Sequence, residues 1–345
     1  MKTAIAVSHG HAPKWLQIFM HSMKQFKNNT PSNLFVALTW PDHPSIKAIS
    51  ENDLGENVTM VPCKIRKHSH ATGLDEILDL ILSHNANNPN DLYTHMFCAE
   101  TDAMACQNNW LDWFHEQFKK VENCGIAGFF WHEGQNHYNI NPSGTLYSVE
   151  MLARYHKECR ENNEGMFWHP NGNRHDTESG MDPSIKDVAG VFSETRGIKN
   201  ANPKQVEEIK KGVPQAAWFE PGAWLYYRSL GDYNHVRVPC DHKYTKFGPV
   251  NSPEGTYYGG VNDTKYLHFW GGTRAYDFLK HPVNDGFVSG GAPYWLERED
   301  TIWKNNVPEK YRQIMPKVYK EMEFNAKLQS NLPGAVEKMK KMGLL

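Results

Sequence analysis

The chain has 345 residues, of which 39% are hydrophobic and 12% aromatic. This is a folded composition, with length for one large domain or two ordinary ones. A formal charge of -2 excludes a global basic field for a polyanion, and no run nears the roughly twenty apolar residues that span a bilayer.

Strand and helix patterns alternate through the first third. Residues 3–8 form a short apolar run ending in Ser8-His9-Gly10-His11, a loop signal. Residues 15–26 carry Trp15, Ile18, Phe19 and Met23 at helical spacing. Strands are predicted over 33–40, stopped by Pro41-Asp42-His43-Pro44, and over 58–65. A helix begins at Thr72, with Asp75 and Glu76 in its first turn and Leu74, Ile77, Leu78 and Ile81 as its apolar side. The fourth strand runs from Tyr93 to Asp102. A helix over 108–120 and a strand over 125–131 follow.

Strands separated by helices predict a mostly parallel sheet covered on both faces, which binds ligands at its carboxyl ends. Ser8 to His11, Trp40 to Asp42 and Glu100 to Asp102 all fall at such ends. Further on, a helix is predicted over 145–161, strands over 217–228 and 235–240, turns over 248–260, and a lysine-bearing helical tail from 308. Met166 to Asp182 reads as an exposed functional loop. Cys63, Cys98, Cys106, Cys124, Cys159 and Cys240 contain no Cys-x-x-Cys pair and read as buried, reduced thiols. With an opening too short in apolar residues for a signal peptide, they predict a cytoplasmic protein, in the host cytoplasm if the source is viral.

The most informative segment is Glu100-Thr101-Asp102. Side chains alternate along a strand, so the two acids are expected on one side, where they need a cation or a shared proton. Mg²⁺ or Mn²⁺ meets that need and keeps places for phosphate oxygens. The second signal is Tyr266-Leu267-His268-Phe269-Trp270-Gly271-Gly272-Thr273-Arg274. Its paired glycines admit a close ligand, Arg274 offers a fork for phosphate, and His268 is a candidate ligand to the same cation. Three acids in His175 to Asp182 offer a general base, with Glu178 and Asp182 as candidates. Glu220, set in an apolar run, is the rival. Asp182 reads equally well as base or helix cap, and Asp176 reads better as a cap or a loop hydrogen-bonding residue. The pairs His9/His11 and His68/His70 point toward a zinc hydrolase, but no His-Glu-x-x-His segment accompanies them. Ser8 to His11 reads better as a loop meeting a base or ribose, and His68 and His70 either line the pocket or sit in solvent. No phosphate-loop or dinucleotide motif follows the first strand.

These residues, in this order, resemble the GT-A glycosyltransferases, especially the broad family 2-like group. Glu100-Thr101-Asp102 is similar to the family's Asp-x-Asp, Trp110-Leu111 to the start of its next helix, and His268 to its late metal histidine. The resemblance implies a GT-A-like, Rossmann-type mostly parallel sheet flanked by helices, with a helical C-terminal extension. The catalytic domain would span 1–275, with a nucleotide-sugar half over 1–131 and an acceptor half over 132–275, and the extension 276–345. Implied ligands to Mn²⁺ or Mg²⁺ are Asp102, His268 and Glu100. Implied donor contacts are Ser8, His9, Gly10, His11, Asp42, His70, Glu100 and Arg274. The implied donor is a nucleoside-diphosphate sugar, a UDP-sugar being favoured, and the implied catalytic acids are Asp182, Glu220 and Glu178. Transfer of a hexosyl or pentosyl group with inversion is expected, to a glycan, a small molecule or a hydroxymethylated base in phage DNA. Glu stands where the family has its first Asp, so Glu100 is read as touching either the metal or ribose. The alternatives are a zinc-dependent hydrolase and a non-catalytic glycan-binding module built on Trp218, Trp224, Tyr226 and Tyr227.

Overall fold

A computed structural model describes residues 1–9, 13–38, 57–63, 70–129, 142–161, 166–167, 225, 229, 231–243, 255–260 and 262–269. The first half alternates as expected: β1 (Lys2–His9), α1 (Pro13–Gln25), β2 (Ser32–Leu38), β3 (Val58–Pro62), α2 (His70–Asn87) and β4 (Tyr93–Glu100). Then come β5 (Ala103–Ala105), α3 (Trp110–Phe118), β6 (Cys124–Gly128), β7 (Thr145–Ser148) and α4 (Val149–Glu161). Four further strands follow, β8 (Asn234–Arg237), β9 (Cys240–Lys243), β10 (Gly255–Tyr258) and β11 (Tyr266–Phe269).

Seven strands form one sheet in the order β3-β2-β1-β4-β7-β6-β8. β3, β2, β1 and β4 run parallel, and β7 is antiparallel to both β4 and β6. The sheet is therefore mostly parallel, as expected, with one reversed strand. The other four strands form a small antiparallel sheet in the order β5-β11-β10-β9.

Period-two alternation buries both faces of the large sheet. Ala4, Ala6, Met96 and Cys98 face α2 and α4, where Leu74, Ile77, Leu78, Ile81, Met151 and Leu152 close the core. Ile5, Val7, Phe97 and Ala99 face the other way, onto Leu16, Phe19, Trp110 and Phe114 of α1 and α3. The small sheet packs on this second face through rings. Tyr266 stacks on Trp110 at 5.5 Å and meets Phe97 edge-on at 5.3 Å. These aromatic rings are thus core packing.

Four local expectations are corrected. The helix expected over 145–161 starts at Val149, because Thr145 to Ser148 is drawn into the sheet between β4 and β6. Leu225, expected on a strand, is helical, and its carbonyl accepts the Ser229 hydroxyl at 2.8 Å. The strand expected over 235–240 divides into β8 and β9, with Val238 and Pro239 between them; proline has no N–H for a ladder. The helix expected from Thr72 starts at His70, so Asp75 and Glu76 lie beyond its first turn and Asp75 has another role. It is buried, and its Oδ1 accepts the N–H groups of Met166 at 2.7 Å and Phe167 at 3.0 Å, tying that segment to α2. All six cysteines are free thiols, as read. Among the described residues no helix is long and apolar enough to cross a membrane.

Candidate metal and nucleotide site

β4 is paired with β1 on one side and, over His95 to Cys98, with β7 on the other, and it ends at Glu100. Thr101 and Asp102 form a bend, and the chain re-enters order as β5, now in the small sheet. The acid-x-acid segment is thus the crossover between two sheets. The expected single-face alignment of the acids by strand alternation does not apply, since Asp102 lies past the strand. What brings the groups together is the β5–β11 pairing, which sets Ala103 opposite His268. Two hydrogen bonds fix β5 in place. The Ala105 N–H donates to Ser22 Oγ of α1 at 3.0 Å, and the Cys106 N–H donates to the Lys265 carbonyl at 2.9 Å.

The result is a compact triad. His268 Nε2 stands 2.7 Å from Glu100 Oε2 and 3.7 Å from Asp102 Oδ1. One ligand-capable atom from each of Glu100, Asp102 and His268 lies within 4.8 Å of the others, and among the described residues no other such group of three occurs. Asp102 and His268 are buried, while the Glu100 side chain keeps 25% of its exposure. On its other oxygen, Glu100 Oε1 is 3.2 Å from His70 Nδ1 at the start of α2. The Glu100 N–H donates to Ser143 Oγ at 3.3 Å. The Ser143 carbonyl in turn accepts the Tyr258 hydroxyl. Gly144 has φ of 75° and no room for a side chain, since a Cβ there would lie 2.4 Å from the Tyr258 ring.

Electrostatics explains why these groups tolerate burial. Burial alone would lower the His268 pKa, but the Glu100 charge and hydrogen bonding with Asp102 and Glu100 outweigh it and push the value up to about 10. Burial would likewise raise Glu100; the His268 charge, with hydrogen bonds from His268 and His70, holds it well below the usual carboxylate range. The imidazolium thus occupies the place between two carboxylates where a cation is wanted. Two carboxylates and one imidazolium still leave a single negative charge. Two carboxylates, a neutral imidazole and a divalent ion leave none. Two hard oxygen donors with one nitrogen suit Mn²⁺ or Mg²⁺, so the residues fit the ion that the motif implies.

Other expected site residues are placed as follows. Ser8 sits at the carboxyl end of β1, directly opposite Glu100 in the parallel register. His9 ends β1. His70, at the start of α2, touches Glu100. Gly10, His11, Asp42, His68, Asp176, Glu178, Asp182, Glu220 and Arg274 lie outside the described residues. Ser143, Tyr258 and Gly73 belong to the surroundings of the site without having been expected there. A Cβ on Gly73 would meet Ser8 Oγ at 2.4 Å, so α2 rests directly on the end of β1.

No protein-family model matches the chain, and no curated protein matches it. Solved structures resemble it over part of its length. S. aureus TarS 1-349 in complex with UDP-GlcNAc is similar at 11% identity and a TM-score of 0.35, covering 53% of this chain and 53% of that one. The mannosyltransferase PcManGT from Pyrobaculum calidifontis, in complex with GDP-Man and Mn²⁺, gives 11% identity and a TM-score of 0.33 over 44% of this chain and 46% of that one. Glucosyl-3-phosphoglycerate synthase from Mycobacterium tuberculosis, in complex with phosphoglyceric acid, gives 12% and 0.32 over 44% and 58%. The chain spans about half the length of the structures it matches. So partial an overlap bears on no residue of the site; the mostly parallel, helix-covered sheet is established by this chain's own strand order.

Proposed function

We propose that this chain is a metal-dependent glycosyltransferase of the GT-A type, taking a nucleoside-diphosphate sugar as donor. The observation that carries the reading is the convergence of Glu100, Asp102 and His268 at the carboxyl end of the parallel β1–β4 pair. Open α/β sheets bind their ligands at that end. A ligand-capable triad there favours a ligand that arrives with a cation, and a sugar-nucleotide diphosphate is such a ligand.

In this reading Asp102, His268 and Glu100 hold Mn²⁺ or Mg²⁺, which when bound neutralises charge on the leaving diphosphate. Asp102 and His268 are both buried. Glu100, partly exposed, borders the ligand space. Ser8 stands where the base or ribose would meet the end of β1, with His9, Gly10, His11 and Asp42 as further donor contacts and Arg274 as a diphosphate contact. An acceptor hydroxyl would attack the anomeric carbon as one of Asp182, Glu178 or Glu220 takes its proton, inverting configuration. UDP is the favoured nucleotide, a hexose or pentose the transferred group. The acceptor is a glycan, a small molecule or a hydroxymethylated base in DNA. The catalytic unit is assigned to 1–275 and the extension to 276–345, in a cytoplasmic setting. A zinc hydrolase built on clustered histidines is less well supported. The group formed by the described residues offers a single imidazole.

A thermal-shift screen of nucleotide sugars, with Mn²⁺ and with EDTA, tests the reading, because a ligand of the folded state raises its stability. A nucleotide sugar that shifts the midpoint only with Mn²⁺ is the expected result. No shift with any nucleotide sugar, alongside tightly held Zn²⁺ on elemental analysis, would replace the transferase with the hydrolase.

A further inference from the structure

We propose that His70 is a positioning residue for the metal site, acting through Glu100 rather than touching ion or nucleotide. This rests on the metal-binding reading of the triad. The Glu100 carboxylate is gripped on both oxygens by imidazoles from different elements: Oε1 by His70 Nδ1 at 3.2 Å, from α2, and Oε2 by His268 Nε2 at 2.7 Å, from β11. Glu100 is the last residue of β4, and its side chain is a quarter exposed. A glutamate in that position has three side-chain torsions to fix, and packing holds only part of it. The His70 contact is what locks the carboxylate plane so that Oε2 faces Asp102 and His268.

The placement of His70 is itself built into the fold. α2 starts at His70, and three residues on, Gly73 lies against Ser8, where a Cβ would come within 2.4 Å of Oγ and 3.1 Å of the Ala37 Cβ. Ser8 is opposite Glu100 in the β1–β4 register. The absence of a side chain at residue 73 therefore sets the height of the first turn of α2 over the strand ends, and with it the reach of His70 to Glu100. The His70 side chain is 13% exposed. A carboxylate can only accept, so Nδ1 carries the proton in the neutral ring. Nε2, buried and with no hydrogen-bond partner among the described residues, is then the bare nitrogen. Groups that orient a metal-binding side chain in this way typically govern affinity by 10- to 100-fold.

The test is Mn²⁺ alone, titrated into the full chain and followed by the loss of free-ion electron paramagnetic resonance signal. It is run on wild type, His70→Ala, His70→Asn and His70→Gln, each checked for folding by circular dichroism. The amide nitrogen of Asn falls near the position of Nδ1, that of Gln near Nε2. Binding weakened about 10- to 100-fold in His70→Ala and largely restored in His70→Asn but not His70→Gln is the expected pattern. Unchanged affinity in His70→Ala, or rescue by Gln and not Asn, overturns it. Wild type that takes up no Mn²⁺ sinks the metal reading instead. The role of His70 is then decided by ¹⁵N NMR of the metal-free wild type, which also serves should the Ala variant not fold. An Nδ1-protonated ring with a downfield, hydrogen-bonded proton is expected, and an Nε2-protonated ring refutes the contact.

Discussion

His268 does two jobs in succession: it is the internal cation of the metal-free protein, and in the proposed function a ligand of the ion that replaces its proton. Removing it leaves Glu100 and Asp102 facing each other with only the His70 contact on Glu100 as compensation. Breaking a buried ion pair by deleting one partner costs about 3–5 kcal/mol, and the partial exposure of Glu100 moves the expectation to the lower end. His268→Ala should therefore lose about 3 kcal/mol in urea denaturation in EDTA; stability equal to wild type would contradict the internal ion pair. At this scale the sequence is informative wherever chemistry is unusual for its setting. Two acids closing an apolar strand and a histidine inside one stand out by type alone. Ser143 and Tyr258 do not, because a serine in a loop and a tyrosine in a strand are ordinary, and only the contacts of Ser143 with Glu100 and Tyr258 reveal them.

Elements decide how closely those groups approach. Gly73 is the tightest example. Alanine there gains up to about 1 kcal/mol of helix propensity but must push Ser8 or α2 aside, and overpacking of this kind costs about 1–3 kcal/mol. Gly73→Ala is expected to destabilise by about 1–2 kcal/mol in a chemical denaturation curve, and to weaken Mn²⁺ binding as His70 is lifted from Glu100. A variant more stable than wild type would mean that α2 does not rest on β1 as described. The helical face Leu74, Ile77, Leu78 and Ile81 was legible from its spacing, and all four residues are buried. Thr145 to Ser148 was not. A four-residue strand directly preceding a helix has no period of its own to read, and its pairing partners lie at 95–98 and 126–127.

At the scale of the molecule, strand–helix alternation made the parallel β3-β2-β1-β4 half readable. The reversed β7 and the second sheet depend on non-local pairing, such as that of 103–105 with 266–268, which no local pattern encodes. The same global packing sets the response to pH. Burial pushes His95 and His235 down to about 3 and His115 to about 4. The unfolded chain protonates these rings near 6.5 while the folded state does not, so stability falls as pH drops from about 6.5 toward 4, by up to about 1.4 kcal/mol per unit for each ring. His268 acts in the opposite sense. Its folded value, about 10, lies above the unfolded one, so its contribution is complete below about 6.5 and is lost as pH rises toward 10. From the histidines alone, the metal-free protein is expected to be most stable near pH 6 to 7. Thermal midpoints across pH 4 to 10 in EDTA check this, and a midpoint still rising below pH 5 would contradict it.

The most direct measurement is calorimetric titration of UDP into the protein with Mn²⁺ and with EDTA, for wild type and Asp102→Ala. Binding by wild type that requires Mn²⁺ and disappears in the folded Asp102→Ala protein is the expected result. Equal UDP affinity in EDTA, or undiminished Mn²⁺-dependent binding without the Asp102 carboxylate, would show that the triad does not hold an ion beneath a diphosphate.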